Sequence, residues 1–272
     1  MKIVKYIFFS ILSLVFTGLV ILYSLPSKRN ISSFPDQLLF AHRAFTPCFP
    51  ENSLESILYL KEKGVKAIEI DIRKTANNKW ILFHDANGTQ LLGINDDINN
   101  IEFSKLNSRN LIFKNQKSGC KIPLFTSVLD RISDSIFFYL DVKEPTISNA
   151  KELVGIIKSK HLENSVLLAT PNTRFVLYIK LFYPEIKVAL EGFNAGKEFV
   201  YTIIPRRLRP DFVSSFHNRT NKEHVNWLVK HSLLSAKIVY GVTNKTYNTN
   251  VKAGFKKMLV DYDSTIFRNT KQ

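Results

Sequence analysis

The chain has 272 residues, 45% of them hydrophobic, and a formal charge of +15 at neutral pH. That length suits one well-packed domain of ordinary size or a single larger α/β barrel, and argues against two full domains. The charge draws anions without choosing among phosphate esters, nucleic acid and acidic lipid, and two cysteines without CxxC spacing exclude a disulfide scaffold and a thiolate zinc or redox centre.

From Tyr6 to Leu25 no residue is charged and Ile, Leu, Val and Phe dominate. As a helix the run crosses a hydrocarbon core of about 30 Å. A transmembrane anchor is expected over a cleaved signal peptide. Lys2 and Lys5 make a basic flank, but the run exceeds the ~7–15 apolar residues of a signal core, and no small-x-small site stands near Leu22-Tyr23-Ser24. Lys28 and Arg29 beyond it nearly cancel the positive-inside signal, and signal-anchor logic places the following domain outside the cytoplasm. Pro26 to Pro35 reads as a polar linker, so residues 1–37 form anchor and linker and residues 38–272 the globular domain. Outside the cytoplasm a Cys48–Cys120 bridge becomes plausible; otherwise the two are unrelated thiols.

Short apolar runs then alternate with helical patterns. Strands are expected at 38–41, 67–72, 136–142, 166–169, 187–190, 212–214, 237–242 and 258–261, with amphipathic stretches at 53–63, 150–160, 173–182 and 222–231. Eight strands in such alternation imply a parallel sheet closed into a (β/α)8 TIM barrel, an α/β fold. Trp80 to His84 is an extra run, read as a hairpin arm folding back from the second barrel strand through Asn77-Asn78, since Asn tolerates positive φ. Residues 86–122, rich in Asn, Asp, Ser and Lys, read as a compact insertion.

Glu69 and Asp71 alternate with Ile68, Ile70 and Ile72, so both carboxylates share one strand face. Asp141 and Lys143 share a face by the same argument, adding a third carboxylate and an ammonium. Adjacent carboxylates repel unless a cation sits among them, and hard oxygen donors favour Mg²⁺ or Ca²⁺. His42 and His84 each end an apolar run, where imidazoles suit acid–base work near neutral pH. Arg43 can reach a phosphate oxygen. Glu51 and Asn52 read either as metal or substrate support or as the start of a helix cap.

His42-Arg43-Ala44, Pro50-Glu51-Asn52-Ser53, Glu69-Ile70-Asp71 and His84-Asp85 resemble the glycerophosphodiester phosphodiesterase family. The resemblance continues through Ile122-Pro123-Leu124, Leu140-Asp141-Val142-Lys143, Val239 to Asn244 and Val260-Asp261-Tyr262. It implies a TIM barrel with a small insertion after the histidine–aspartate motif. His42 and His84 would form the acid–base pair, Glu69, Asp71 and Asp141 the divalent-metal ligands, and Arg43 and Lys143 the phosphate clamp. Tyr240, in place of the family's usual tryptophan, keeps an aromatic wall, and Asn244 is a further candidate for substrate support. The chain departs from the pattern at Ala44, usually glycine, which matters only if that backbone needs positive φ. It departs again at Asp141, usually glutamate, and after Asp85, where the usual arginine and threonines are missing.

The implied reaction is metal-dependent hydrolysis of a glycerophosphodiester to an alcohol and glycerol 3-phosphate. The alternatives are lysophospholipase D-type cleavage of a lysophospholipid at the membrane, and a non-catalytic phosphate- or lipid-binding barrel. Arg206, Arg207 and Arg209 follow the apolar run 199–204 and read either as a contact for anionic lipid or as a solvated helix end. No groove-reading motif for nucleic acid and no protein partner is evident.

Overall fold

The computed structural model of the chain describes residues 2–27, 29, 31–132 and 136–269; Lys28, counted above among the flanking charges, lies outside the described residues. Helix α1 (Lys2–Ser24) precedes strand β1 (Leu38–Ala41), helix α2 (Leu54–Glu62), strand β2 (Ala67–Lys74) and strand β3 (Trp80–Leu82). Short helices α3 (Thr89–Leu92) and α4 (Phe103–Asn107) and a hairpin, β4 (Ile112–Phe113) with β5 (Gln116–Lys117), fill the stretch expected as an insertion. Then come α5 (Phe125–Ile132), β6 (Phe137–Val142), α6 (Ile147–Ser159), β7 (Val166–Thr170), α7 (Thr173–Phe182) and β8 (Lys187–Leu190). The chain continues with α8 (Glu198–Ile203), β9 (Phe212–Phe216), α9 (Lys222–Lys230), β10 (Lys237–Val242), α10 (Asn244–Lys252), β11 (Lys257–Val260) and α11 (Ser264–Asn269).

Among the described residues, eight parallel strands close a barrel in the order β1-β2-β6-β7-β8-β9-β10-β11, with β11 pairing back to β1. The expected (β/α)8 architecture is observed, and β3 is the expected arm: it pairs antiparallel with β2, Ile72 opposite Leu82, across a turn in which Asn78 takes φ 56°. The loops leading into helices supply their own caps. Side chains of Ser53, Thr146, Asn172 and Asn221 accept backbone N–H groups at the starts of α2, α6, α7 and α9.

The period-two pattern sets the layers. Ile68, Ile70 and Ile72 join the core between sheet and helices, together with Leu140, Val142, Val188 and Leu190. Ala67, Tyr139, Ala169 and Ala189 face the barrel interior with Phe40. Full burial of each isoleucine is worth about 1.5–3 kcal/mol, which fixes the register and leaves Glu69 and Asp71 no position but inward. The insertion packs on its own small core, Leu92, Ile98, Leu106, Leu111 and Ile122 against Ile81 and Phe83 of the arm.

The stretch expected as a plain linker is not one throughout. Phe34 is buried, its ring 5.1 Å from that of Phe137 and 5.4 Å from that of Phe212, the first residues of β6 and β9. It stoppers the N-terminal end of the barrel, a role that one phenylalanine in a polar run does not advertise. Both cysteines are free thiols, Cys48 exposed and Cys120 buried, so the bridge considered above is not formed.

Candidate active site

The strands deliver their chemistry to a cavity of about 280 Å³ at the C-terminal mouth of the barrel. Glu69 and Asp71 enter from β2, Asp141 from β6, His42 from the end of β1 and His84 from the loop after the β3 arm. One oxygen from each of Glu69, Asp71 and Asp141 lies within 4.8 Å of the others. Glu69 and Asp71 are almost wholly buried. Burial first, then the neighbouring Asp71 and Asp141 charges, hold the Glu69 carboxyl well above its ordinary range. Burial also raises Asp141. It would raise Asp71 too, but Lys143, His84 and Asn52 outweigh it and hold that carboxyl below its ordinary value.

Lys143 bridges the two aspartates, its ammonium 2.8 Å from Asp71 Oδ1 and 2.7 Å from Asp141 Oδ2. Despite burial, these two charges raise its own pKa. Asn52 is not a helix cap; that role falls to Ser53. Its amide clasps Asp71 instead, donating from Nδ2 to Oδ2 at 2.8 Å and accepting the Asp71 backbone N–H at 3.0 Å.

His42 opens a 3-10 turn, His42–Ala44, in which Arg43 and Ala44 take φ 51° and 47°. The backbone at Ala44 therefore does need positive φ, and an alanine stands there under strain. The turn aims the Arg43 N–H at Glu69 Oε2, 2.6 Å away. The Arg43 guanidinium then spans the site: Nη1 reaches Glu51 at 3.3 Å and Nη2 donates to His84 Nε2 at 2.9 Å. Its buried Nε has no hydrogen-bond partner.

Each imidazole is held at Nδ1 by a carboxylate. His42 Nδ1 lies 2.9 Å from Asp261 Oδ1, and His84 Nδ1 lies 2.8 Å from Asp85 Oδ1. A carboxylate only accepts, so both rings carry the proton on Nδ1 and present an Nε2 lone pair. Arg73 fixes the His84 loop, donating from Nη2 to the His84 carbonyl at 2.9 Å while Nη1 pairs with Glu144 at 2.7 Å.

Tyr240 lines the cavity beside Phe216, their rings edge to face at 5.7 Å. A bulge between Val239 and Val242 turns the strand there. Gly241 has φ 70°, and a Cβ on it would come within 2.5 Å of the Phe216 ring, so only glycine fits. Asn244 is not brought to the cavity; it donates to Asp263 Oδ2 at 2.7 Å at the start of α10.

Sequence reasoning assigned no role to Asp261, Asp85, Arg73, Phe216 or Glu191. Glu191, also in the cavity wall, accepts from the Tyr139 hydroxyl at 2.6 Å, and burial followed by the Asp141 charge pushes its carboxyl up to about 8. Its signal was present: Lys187, Ala189 and Glu191 continue one inward face.

Fold and site together define a closed α/β barrel with a centre of two histidines and three carboxylates at the strand C-termini. Residues 42–235 match the model of the glycerophosphoryl diester phosphodiesterase family, and the chain belongs to that family. A relative named glycerophosphodiester phosphodiesterase from Caldanaerobacter subterraneus is 25% identical over 160 residues, 56% of this chain and 65% of that protein. The chain thus spans less than two thirds of the length of that relative, and 45% of a Bacillus subtilis one of the same name. Among solved structures, an Oleispira antarctica phosphodiesterase in complex with the product sn-glycerol-3-phosphate superposes with a TM-score of 0.71 at 16% identity, covering 84% of this chain and 94% of that one. A glycerophosphodiester phosphodiesterase from Parabacteroides distasonis gives 0.69 at 18% identity, over 87% and 99% of the two chains. At these identities the structural matches speak for the fold.

Proposed function

We propose that this chain hydrolyses glycerophosphodiesters to an alcohol and glycerol 3-phosphate. The observation that carries the reading is the pair of imidazoles, each fixed at Nδ1 by a carboxylate, facing one cavity with three clustered carboxylates, two of them buried. Glu69, Asp71 and Asp141 would hold a divalent cation; the all-oxygen donor set and the raised Glu69 carboxyl, which a cation would relieve, fit Mg²⁺ or Ca²⁺. Such a cation supplies Lewis-acid neutralisation of phosphoryl oxygens.

The chain's own groups do the rest. Lys143 and Arg43 pair with the phosphate, and the Arg43 Nε, 4.0 Å from Asp71 Oδ2 and without a hydrogen bond, is a ready donor for it. When Arg43 turns to the phosphate it releases His84 Nε2. The His42 Nε2 lone pair takes a proton from the attacking water as its oxygen bonds to phosphorus. His84 Nε2, once released, takes up a proton from solvent, and as the bond to the leaving alcohol breaks it passes that proton to the departing oxygen. Asp261 and Asp85 steady the imidazolium forms. Glu51 holds the Arg43 guanidinium at 3.3 Å, and Tyr240 walls the substrate side.

Residues 1–37 act as membrane anchor and linker, and residues 38–272, with the insertion near 86–122, as the catalytic barrel outside the cytoplasm. Support comes from α1, whose 23 residues are apolar enough to cross a bilayer and none of which is buried. The same helix favours a second reading, lysophospholipase D-type action on a lysophospholipid. Activity is tested with His42→Ala and His84→Ala. Each should lose at least about 100-fold in turnover of glycerophosphocholine while still binding Ca²⁺ in calorimetry. Wild-type protein that binds Ca²⁺ and phosphate without turnover would instead establish the non-catalytic barrel.

A further inference from the structure

The tether joins the barrel at the end opposite the cavity. The last turn of α1 rests on the 3-10 turn Arg206–Leu208, and the Tyr23 hydroxyl donates to the carbonyl of Ile203. Arg29 donates from both terminal nitrogens to the Ser232 carbonyl at 3.3 Å. Ile203 ends α8, and the Arg206–Leu208 turn and Ser232 lie in connections that run from a helix into the N-terminus of the next strand. Phe34, a few residues on, stoppers that same end. Residues 2–17 are exposed, so the apolar rod stands clear of the barrel wall.

Around this attachment point the surface is dressed for lipid. Ile203 is 61% exposed and Phe182, whose ring leans on Tyr178 at 4.8 Å, is 59% exposed, large apolar surface presented to the outside. Phe182 and the half-exposed Leu181 end α7, which packs against the Arg206–Leu208 turn. Arg206 is exposed, and neither it nor Arg207 forms an ion pair with another described residue. Apolar side chains that dip below headgroups, flanked by free guanidinium groups, match the chemistry of an anionic leaflet.

We infer that the N-terminal face of the barrel, through Phe182, Ile203, Arg206 and Arg207, lies on the bilayer that α1 crosses, turning the catalytic mouth toward water. The inference rests on the anchor and diesterase readings above and deepens them by choosing the substrate class. Asp141 lies four residues along β6 from Phe137 at that face, about 13 Å at the rise of a strand, with Asp71 level with it in register. A lysophospholipid in the same bilayer would have to leave it entirely to reach Asp71 and Asp141, losing the burial of every methylene. A deacylated, water-soluble glycerophosphodiester arrives directly. The orientation thus disfavours lysophospholipase D action on the enzyme's own membrane.

The test places single thiol probes on the full-length chain in a Cys48→Ser background, Cys120 being buried. Fluorophores at Ile203→Cys, Phe182→Cys, Leu12→Cys on α1 and the exposed Asn218→Cys, in the loop after β9, are read in vesicles containing phosphatidylglycerol and nitroxide-labelled phosphatidylcholine. Quenching at positions 203 and 182 at least twofold stronger than at 218 is expected. Equal or stronger quenching at 218 overturns the inference. So does quenching at position 12 with none at 203 and 182, which leaves the anchor standing but the barrel off the surface. No quenching at 12 removes the anchor reading itself, and the inference with it. None of these outcomes depends on turnover, so failure of the diesterase reading is registered separately.

Discussion

His42 Nδ1 and Asp261 Oδ1 meet at 2.9 Å across the seam where the first and last strands close the barrel. The contact exists only because β11 pairs with β1, so closure of the fold and the tautomer of His42, the proposed base, are one event. His42 in turn lowers the Asp261 carboxyl, chiefly through this hydrogen bond.

Asp261→Asn should therefore act through His42. An amide can present N–H to Nδ1 and reverse the tautomer, moving the lone pair off Nε2. Turnover is expected to fall roughly 100- to 10⁴-fold with KM changed little. A kcat within threefold of wild type would show that Asp261 does not position the base.

Glu69→Gln separates stability from function. The carboxyl is raised by burial and by Asp71 and Asp141, so its charge is costly when no cation is present. In chelator the variant should be more stable than wild type by about 1 kcal/mol, yet lose turnover and the rise in melting temperature that Ca²⁺ or Mg²⁺ gives wild type. Thermal melts with and without metal check both halves.

Ala44→Gly should stabilise the fold. A left-handed conformation costs an L-residue about 1–2 kcal/mol, against which glycine loses about 0.4–1 kcal/mol of extra chain entropy. The net gain expected in urea unfolding is about 0.5–1 kcal/mol, with activity unchanged. A loss of stability would mean that the Ala44 methyl, buried at φ 47°, is worth more in packing than it costs in strain.

Lys237, at the start of β10, donates to the Phe193 carbonyl at 2.7 Å, and burial brings its pKa down to about 7. The unfolded chain, with an ordinary lysine, binds this proton more tightly, so stability should rise as pH climbs from about 7 toward 10.5. Below 7 both states are protonated and this contribution is flat. Lys237→Met should remove the rise; parallel unfolding curves of wild type and variant at every pH would refute it.

Much of this was legible in the sequence because β periodicity carries the information directly. Ile68, Ile70 and Ile72 state which way Glu69 and Asp71 must face, and the barrel strands fall within two residues of expectation at either end. The hairpin arm was readable from Asn77-Asn78, and Asn78 takes the positive φ. What escaped depends on closure or on single residues. Asp261 meets His42 only after more than two hundred intervening residues have wound round, and Phe34 acts alone in a polar stretch. Asn244 reads like Asn52 in a motif, yet the start of α10 sends it to Asp263. Asn52 reads either as metal or substrate support or as a cap, and only the backbone at φ 54° decides between them by carrying its amide onto Asp71.

The most direct measurement is ³¹P detection of products from glycerophosphocholine with Mg²⁺, Ca²⁺ or EDTA, using the detergent-solubilised full chain. Glycerol 3-phosphate formed with metal and abolished by EDTA is the predicted result. Turnover that persists unchanged in EDTA, or in Glu69→Gln, would contradict a cation held by Glu69, Asp71 and Asp141. No cleavage under any of the three conditions would contradict the diesterase account as a whole.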